Sequence, residues 1–143
     1  MNRPELLTKD NCQIIFIDHQ PQMAFGVQSI DRQVLKNNTV ALAKAAKAFN
    51  IPTTITTVET ESFSGHTYPE LLSVFPENPI LERTSMNSWD DLKVREALAK
   101  NGKKKVIVSG LWTEVCNNGF AFAAMAEGDY EIYMVADASG GTS

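Results

Sequence analysis

The feature that most constrains the fold is the stretch from Lys103 to Gly128, which reads KKKVIVSGLWTEVCNNGFAFAAMAEG. Its β-branched run at 106–108 is typical of a parallel strand that is covered on both faces. Ser109 and Gly110 supply the turn that ends such a strand, and the apolar residues around and after Cys116 indicate a helix. The stretch therefore predicts one strand-turn-helix unit, with a cysteine at the turn.

The rest of the chain repeats this alternation of strand and helix. Apolar or β-branched runs predict strands at 12–18, 53–58, 80–82, 105–109 and 132–136. Helical periodicity and end signals predict helices at 31–49, 69–75, 88–100 and 113–127. Because each parallel crossover needs a helix of its own, this order predicts a three-layer α/β/α sandwich around a parallel sheet.

Length, charge and cysteine usage narrow the function classes. The 143 residues suit one domain, 1–143, and the net charge of -4 argues against a nucleic-acid surface. No apolar run approaches the ~20 residues that a membrane span needs. Cys12 and Cys116 have no spacing typical of a zinc site or a disulfide framework. We therefore expect a cytoplasmic protein that binds neither nucleic acid nor membrane.

Three side chains that could take part in catalysis lie at the predicted strand ends. Asp18 closes the first strand, Arg83 follows the third, and Cys116 lies just past the fourth. Open α/β sheets bind ligands in the crevice outside the carboxyl ends of their strands. We therefore expect Asp18, Arg83 and Cys116 to converge, although they are far apart in sequence.

The setting of Cys116 predicts a reactive thiol. If Thr113 caps the helix, Cys116 falls at its third position, where unpaired amides and the helix dipole favour an anion. A thiol at such a place is biased towards thiolate. The alternative is that Cys116 is a small, buried apolar residue, as helical cysteines usually are.

A thiol nucleophile needs a base, and Asp18 is the candidate we favour. A carboxylate at the mouth of an apolar strand is partly desolvated and a good proton acceptor, while Arg83 would keep it ionised and oriented. Taken singly, Asp18 could be a cap and Arg83 a surface ion pair. A Cys116–His66 pair, as in thiol proteases, is the other cysteine-centred option, since His19 follows Asp18 directly and would point to the opposite face.

Neither a metal nor a phosphate site is predicted. The polar loop at 59–68 has no pair of histidines and no Asp-x-His sequence, and the chain has no glycine-rich phosphate loop of either common type. We expect no cofactor.

Four segments carry a resemblance to a known family. They are IIFIDHQ (14–20), LERTSMNSWDD (81–91), VIVSGLWTEVC (106–116) and VADAS (135–139). Together they resemble the isochorismatase-like cysteine hydrolases, and most of all their YcaC-like branch. The resemblance implies a catalytic triad of Asp18, Arg83 and Cys116. It also implies a cis peptide at Leu111-Trp112, with the amides of Trp112 and Cys116 holding an oxyanion.

The resemblance also shows where this sequence departs from other members of the family. Many members carry lysine where this chain has Arg83, and arginine there is similar to the YcaC-like branch. Nicotinamidase-like relatives have a metal-binding Asp and His set that does not match here. Relatives continue past the 135–139 segment with another helix and strand, so the domain is expected to be truncated at its C-terminus.

The resulting functional hypothesis is hydrolysis of a C-N bond in a small amide-like metabolite through a thioester. Gln20, Phe25, Trp89 and Trp112 are the candidates to line the substrate pocket. A homo-oligomer is expected. The alternatives are a non-catalytic assembly protein that retains the fold, with the small apolar segment 121–126 as a subunit contact, and the vinyl ether hydrolysis of isochorismatase itself.

Overall fold

A computed structural model describes residues 5–143, and its centre is a five-stranded sheet. The strands are β1 (Cys12–Ile17), β2 (Thr53–Val58), β3 (Ile80–Arg83), β4 (Lys105–Gly110) and β5 (Glu131–Met134). Their spatial order is β3-β2-β1-β4-β5, and every neighbouring pair is parallel. The predicted parallel sheet is confirmed, with strand bounds within two residues of those predicted.

Within residues 5–143, five helices connect or flank the strands. They are α1 (Pro21–Phe25), α2 (Arg32–Ala48), α3 (Pro69–Val74), α4 (Leu92–Asn101) and α5 (Asn118–Gly128). Short turns of π-helix at Thr60–Ser64 and Thr113–Asn117, and of 3-10 helix at Ser88–Asp90 and Ala136–Ala138, complete the structure. The sequence pattern missed α1, which is only five residues long. Across residues 5–143, no helix combines the length and the apolarity needed to cross a bilayer.

The core has two halves, one on each face of the sheet. On one face, Ile14 and Phe16 of β1 pack with Ala43 of α2 and Leu71 of α3. On the other face the buried cluster contains Ile15, Ile17, Val106, Val108, Val94, Leu98, Phe120 and Ala124. Strand β1 is buried along its whole length, because side chains alternate between two covered faces. These two halves confirm the three-layer sandwich.

Apolar periodicity predicts that Phe49, Ile132 and Met134 belong to the core, and the structure differs at all three. Phe49 is exposed, because it is the residue that ends α2 and no longer lies on the buried stripe of the helix. Ile132 and Met134 are only partly buried, because β5 is an edge strand. The expectation that all three are core residues was therefore wrong for Phe49 and too strong for β5.

Ser88 with Asp91 three residues later resembles a capping box in the sequence, but the structure has two separate caps instead. The side chain of Asn87 accepts a hydrogen bond from the Trp89 amide and begins the 3-10 turn. Asp91 then accepts from the Lys93 amide and begins α4. Asn and Asp favour such local bonds to the backbone, so one predicted helix becomes two elements.

The predicted N-cap at Thr113 was also wrong. The segment after β4 first forms the π-helical turn Thr113–Asn117, which has no side-chain cap, and α5 begins only at Asn118. Cys116 therefore lies in this turn, before the α-helix starts.

The backbone at Gly110 is in close contact with neighbouring elements. An added Cβ would lie 2.3 Å from Asn117 Oδ1 and 2.6 Å from the carbonyl oxygen of Ile17. Glycine is required there because no side chain fits.

Candidate active site

The carboxyl ends of three strands bring the predicted triad together. Asp18 follows β1 directly and adopts a left-handed backbone conformation, with φ of 56°. Its backbone amide donates to the carbonyl oxygen of Thr56 at 3.0 Å. Arg83 is the last residue of β3, and Cys116 follows β4 in the next turn. Because β1 and β4 are adjacent and their crossovers run to opposite sides, the site lies at the topological switch point of the sheet.

Asp18 and Arg83 form a buried, two-pronged ion pair. Arg83 Nη1 lies 2.6 Å from Asp18 Oδ1 and Nη2 lies 2.7 Å from Oδ2, and both side chains are 0% exposed. Nη1 also donates to Thr56 Oγ1 and Nη2 to the carbonyl oxygen of Met86, both at 3.1 Å. Burial opposes the guanidinium charge, but the hydrogen bonds and charge of Asp18 outweigh it and raise the pKa of Arg83. A surface ion pair is thereby excluded for this arginine.

Cys116 rests as a thiol, which corrects the expected thiolate. Its residue is only 1% exposed, and burial followed by the negative charge of Asp18 raises the pKa of Cys116 to about 12. The Arg83 guanidinium and the backbone N-H of Trp112 lower this pKa, but by less. The expected helix-terminus effect does not dominate, because the thiol lies beside a carboxylate and in an irregular turn. The thiol therefore needs a base to become a nucleophile.

The backbone around Cys116 is held by hydrogen bonds from other elements. The amide of Leu111 donates to the carbonyl of Ile17, and that of Thr113 to the carbonyl of Gly140, both at 3.0 Å. The Leu111-Trp112 peptide bond is cis, as the resemblance implied. The amide of Trp112 faces the sulfur of Cys116, where it lowers the pKa of the thiol. This arrangement leaves an N-H donor next to the candidate nucleophile.

A cavity of about 220 Å³ opens onto Cys116. Its lining is mostly apolar and consists of Met23, Val58, Glu59, Phe63, Ser64, Thr84, Met86, Trp112, Val115 and Cys116. Pockets for drug-sized ligands are typically ≈300–1,000 Å³. This cavity suits a ligand of few atoms.

Of the four predicted pocket residues, the structure places only Trp112 in this cavity. Gln20 is buried, where its side-chain amide donates to the carbonyls of Val58 and Gly65 and fixes the start of the neighbouring loop. Phe25 is 68% exposed at the end of α1. Trp89 is buried among core aromatic residues, and its indole N-H donates to Glu127 at 2.8 Å.

Neither histidine lines the cavity around Cys116. The His66 side chain is 74% exposed, lies 3.4 Å from a carboxylate oxygen of Glu61 and lines a separate cavity. His19 is buried, its Nε2 is 2.9 Å from Ser109 Oγ, and its ring packs on Phe16 at the opposite face of the sheet. Burial lowers the pKa of His19 to about 4, so this ring is neutral. The Cys116–His66 pair proposed from sequence is not formed.

Most residues of the cavity lining have no clear signal in the sequence pattern. Phe63 and Met86 are exposed residues at the rim, and Glu59 lies immediately after β2. The position of Glu59 at the carboxyl end of a strand is the same signal that identified Asp18, so it could have been found. Phe63, Thr84 and Met86 lie in irregular segments whose paths the sequence pattern does not predict. Among residues 5–143, no group of three or more His, Cys, Asp or Glu side chains is arranged to hold a metal ion.

Comparison with known proteins agrees with this fold. Residues 12–143 match the family described as "Isochorismatase domain". The chain therefore belongs to the isochorismatase family of hydrolases. It is 37% identical over 142 residues to the probable hydrolase YcaC of Escherichia coli strain K12, across 98% of this chain and 68% of that relative.

Solved structures of related proteins share the fold closely. The Escherichia coli YcaC gene product, described as an octameric hydrolase of unknown specificity, superposes with a TM-score of 0.93 at 36% identity. YcaC from Pseudomonas aeruginosa, solved with hexane-2,5-diol and covalent acrylamide, gives 0.95 at 34% identity. Each comparison covers 99% of this chain and 70% of the other. The YcaC-like branch inferred from the sequence is confirmed.

Proposed function

We propose that this protein hydrolyses the C-N bond of a small amide, with Cys116 as nucleophile and a thioester intermediate. The observation that supports this best is a protonated thiol beside a buried carboxylate, at the end of a small cavity. A thiol with a raised pKa attacks only when a base removes its proton, and Asp18 is the base at hand. Arg83 stays charged and holds both oxygens of that base in place.

In the first half of the reaction, Asp18 takes the proton from Cys116 Sγ as the sulfur bonds to the amide carbon. The carbonyl oxygen becomes an oxyanion, which the backbone N-H groups of Trp112 and Cys116 stabilise. Asp18 then gives the proton to the amide nitrogen, the C-N bond breaks and the amine leaves. The acyl group remains on sulfur as a thioester.

In the second half, water attacks the thioester carbon while Asp18 takes one of its protons. The C-S bond breaks, the sulfur recovers the proton from Asp18, and a carboxylic acid leaves. Each half uses the same proton acceptor in both directions, as general acid-base catalysis requires. The side chain of Arg83 holds the geometry throughout and transfers no proton.

The Pseudomonas aeruginosa relative supports an amide-sized ligand. That protein was solved with covalent acrylamide, which is a small neutral amide and an electrophile for thiols. In this chain, Cys116 lines a cavity of about 220 Å³. A neutral amide group therefore suits the site.

The direct test is turnover of a panel of short-chain amides by wild-type and Cys116→Ala proteins, followed by release of ammonia or amine. We expect activity of the wild type and a loss of at least about 10³-fold in the variant. Cys12→Ala is the matched control, because it removes the other buried thiol. Equal turnover by wild-type and Cys116→Ala proteins would refute the proposal.

We also propose that the chain forms a homo-oligomer. The Escherichia coli relative is octameric, and the outer face of α5 here carries the exposed side chains of Phe122 and Met125. Exposed apolar patches of this kind mark subunit contacts. Phe122→Asp should reduce the mass measured by light scattering, whereas Phe49→Asp, at an equally apolar exposed site on α2, should not. A monomeric wild type at micromolar concentration would contradict this.

A further inference from the structure

The cavity at Cys116 has an unusual balance of charge. Among the described residues, Glu59 is the only lining residue that carries a carboxylate, and no Lys, Arg or His lines the cavity. The remainder of the wall is apolar or uncharged, with Met23, Val58 and Trp112 deep in it. A ligand that enters meets one negative charge and no positive side chain.

The positively charged side chain nearest to Cys116 is Arg83, and it is already paired within the protein. All four terminal N-H bonds of Arg83 have acceptors in the protein, which are the two oxygens of Asp18, Thr56 Oγ1 and the Met86 carbonyl. Only Nε has no partner, and the side chain is fully buried. The Asp18 carboxylate neutralises the guanidinium. The pair therefore offers a ligand no net positive charge.

Glu59 is fixed at the cavity by its backbone. It has a left-handed conformation with φ of 48°, and its carbonyl accepts from the amides of Ser62, Phe63 and Ser64. Its own amide donates to the carbonyl of Arg83 at 3.2 Å. A glutamate in this conformation costs energy, which these four bonds offset. The side chain is thus held at the junction between β2 and the rim, with its Oε2 accepting from Ser62 Oγ at 2.7 Å.

We infer that Glu59 makes this site select uncharged amides with short apolar acyl groups and reject carboxylates, including the acid that hydrolysis releases. This rests on the proposed function, since it names the substrate class of that same site. The apolar walls favour the acyl group, and the charge of the half-buried Glu59 at the rim of the cavity repels an anion. The reaction converts a neutral ligand into an anion, so the same charge that admits the amide expels the product. An anionic vinyl ether, the substrate type of isochorismatase, is excluded by the same charge.

The test compares one amide with its own acid. Isobutyramide and isobutyrate are titrated into Cys116→Ala protein, which cannot turn the amide over, and binding is followed by saturation-transfer NMR. We expect the amide to bind at least about tenfold more tightly than the acid at low salt. Glu59→Gln should reduce this ratio to about twofold by strengthening acid binding. Glu61→Gln is the matched control, since Glu61 is exposed and lines the other cavity.

A second measurement does not depend on the alanine variant. In Cys12→Ser protein, iodoacetamide and iodoacetate label Cys116, and their rate ratio is divided by the ratio for N-acetylcysteine. We expect the neutral reagent to be favoured about tenfold, and Glu59→Gln to abolish the preference. Equal binding of amide and acid, no binding of either, or unchanged discrimination in Glu59→Gln would each overturn the inference.

These outcomes separate the inference from the proposed function. If Cys116→Ala binds the amide selectively but the wild type hydrolyses none of the panel, the hydrolase proposal fails and the charge selectivity stands. If the wild type hydrolyses amides but acid and amide bind alike, the charge selectivity fails and the hydrolase proposal stands.

Discussion

The two thiols of the chain lie at opposite ends of the same sheet and have different surroundings. Cys12 begins β1 and Cys116 follows β4, and they are 2% and 1% exposed. Burial is the largest cause of a raised pKa for both. Cys12 donates to the carbonyl of Thr8 at 3.1 Å, and its main charged neighbour is Lys103. Cys116 has Asp18 and Arg83 instead.

This contrast teaches that burial alone does not make a thiol a nucleophile. At the amino ends of the strands, Cys12 has a carbonyl acceptor, which cannot take its proton. At the carboxyl ends, the residue after β1, the last residue of β3 and the turn after β4 bring a carboxylate, a guanidinium and a thiol to one place. The arrangement of the sheet, rather than any single residue, therefore distinguishes the two cysteines.

The largest expected effect comes from Asp18→Asn. Losing the base should reduce amide hydrolysis by about 10³-fold, within the range for general bases. Removing the Asp18 charge should at the same time lower the pKa of Cys116, because that charge is the largest cause after burial. The pH at which Cys116 is alkylated at half its maximal rate should fall, while that of Cys12 stays unchanged.

This result would be read by mass spectrometry of both cysteines after alkylation at several pH values, with circular dichroism as a check on folding. If Asp18 is the base, the Asp18→Asn protein should have a Cys116 thiol that ionises at lower pH and should nevertheless be inactive. If hydrolysis survives in a folded Asp18→Asn protein, the distinction between the two thiols lies elsewhere.

The second largest effect is a loss of folding stability when Arg83 is removed from the buried Asp18–Arg83 ion pair. Arg83→Met leaves Asp18 buried without its counter-charge, which should lower the free energy of unfolding by about 3–5 kcal/mol. The matched change beside the other cysteine, Lys103→Met, removes only a partly exposed cation and should cost less than about 1 kcal/mol. Urea unfolding of both variants measures the difference.

A double variant sharpens this second test. Arg83→Met with Asp18→Asn removes both charges and should recover part of the stability, because the cost comes from an unpaired charge. Equal losses for Arg83→Met and Lys103→Met would show that the Asp18–Arg83 pair is not a buried charge pair in solution.

A smaller loss of folding stability is expected at alkaline pH. The pKa of Cys116 is raised from 9.0 to about 12 by folding, so the folded protein keeps a proton that the unfolded chain has lost between these values. Cys116 therefore contributes stability that is fully present below pH 9 and is lost as the pH rises towards 12, by up to ~1.4 kcal/mol per pH unit. Cys116→Ser should flatten this decline in urea unfolding curves, and Cys12→Ser should flatten it less. Identical curves for wild-type and Cys116→Ser proteins would contradict it.

Sequence alone predicted the strands well because their signals are local. Val106 to Val108 and the run from Ile14 to Ile17 are apolar or β-branched over whole strands. The helix predicted over 31–49 is found as α2, and Asp31 caps its start. The parallel order then follows from the alternation of elements. Asp18, Arg83 and Cys116 could be placed together because strand ends in such a sheet share one edge.

The parts that failed depend on irregular backbone and on long-range electrostatics. The π-helical turn Thr113–Asn117 brings Asn117 against Gly110, a contact that the helical pattern does not encode. The ionisation of Cys116 depends on burial and on Asp18, which is far away in sequence. Phe63 and Met86 reach the cavity through turns without periodicity. Local patterns therefore predict the frame of the site but neither its walls nor the protonation of its thiol.

The smallest expected effect is the one that decides between a carboxylate and a histidine as the base. His66 lies in the exposed loop and lines a separate cavity, and its Nε2 is 3.4 Å from a carboxylate oxygen of Glu61. His66→Ala should therefore change amide turnover by less than about twofold and stability by less than about 0.5 kcal/mol. Steady-state rates and urea unfolding, measured beside Asp18→Asn, make the comparison direct. If His66→Ala were as damaging to turnover as Asp18→Asn, Cys116 would draw its base from a loop that moves during catalysis, and the ion pair with Arg83 would serve only to hold the fold.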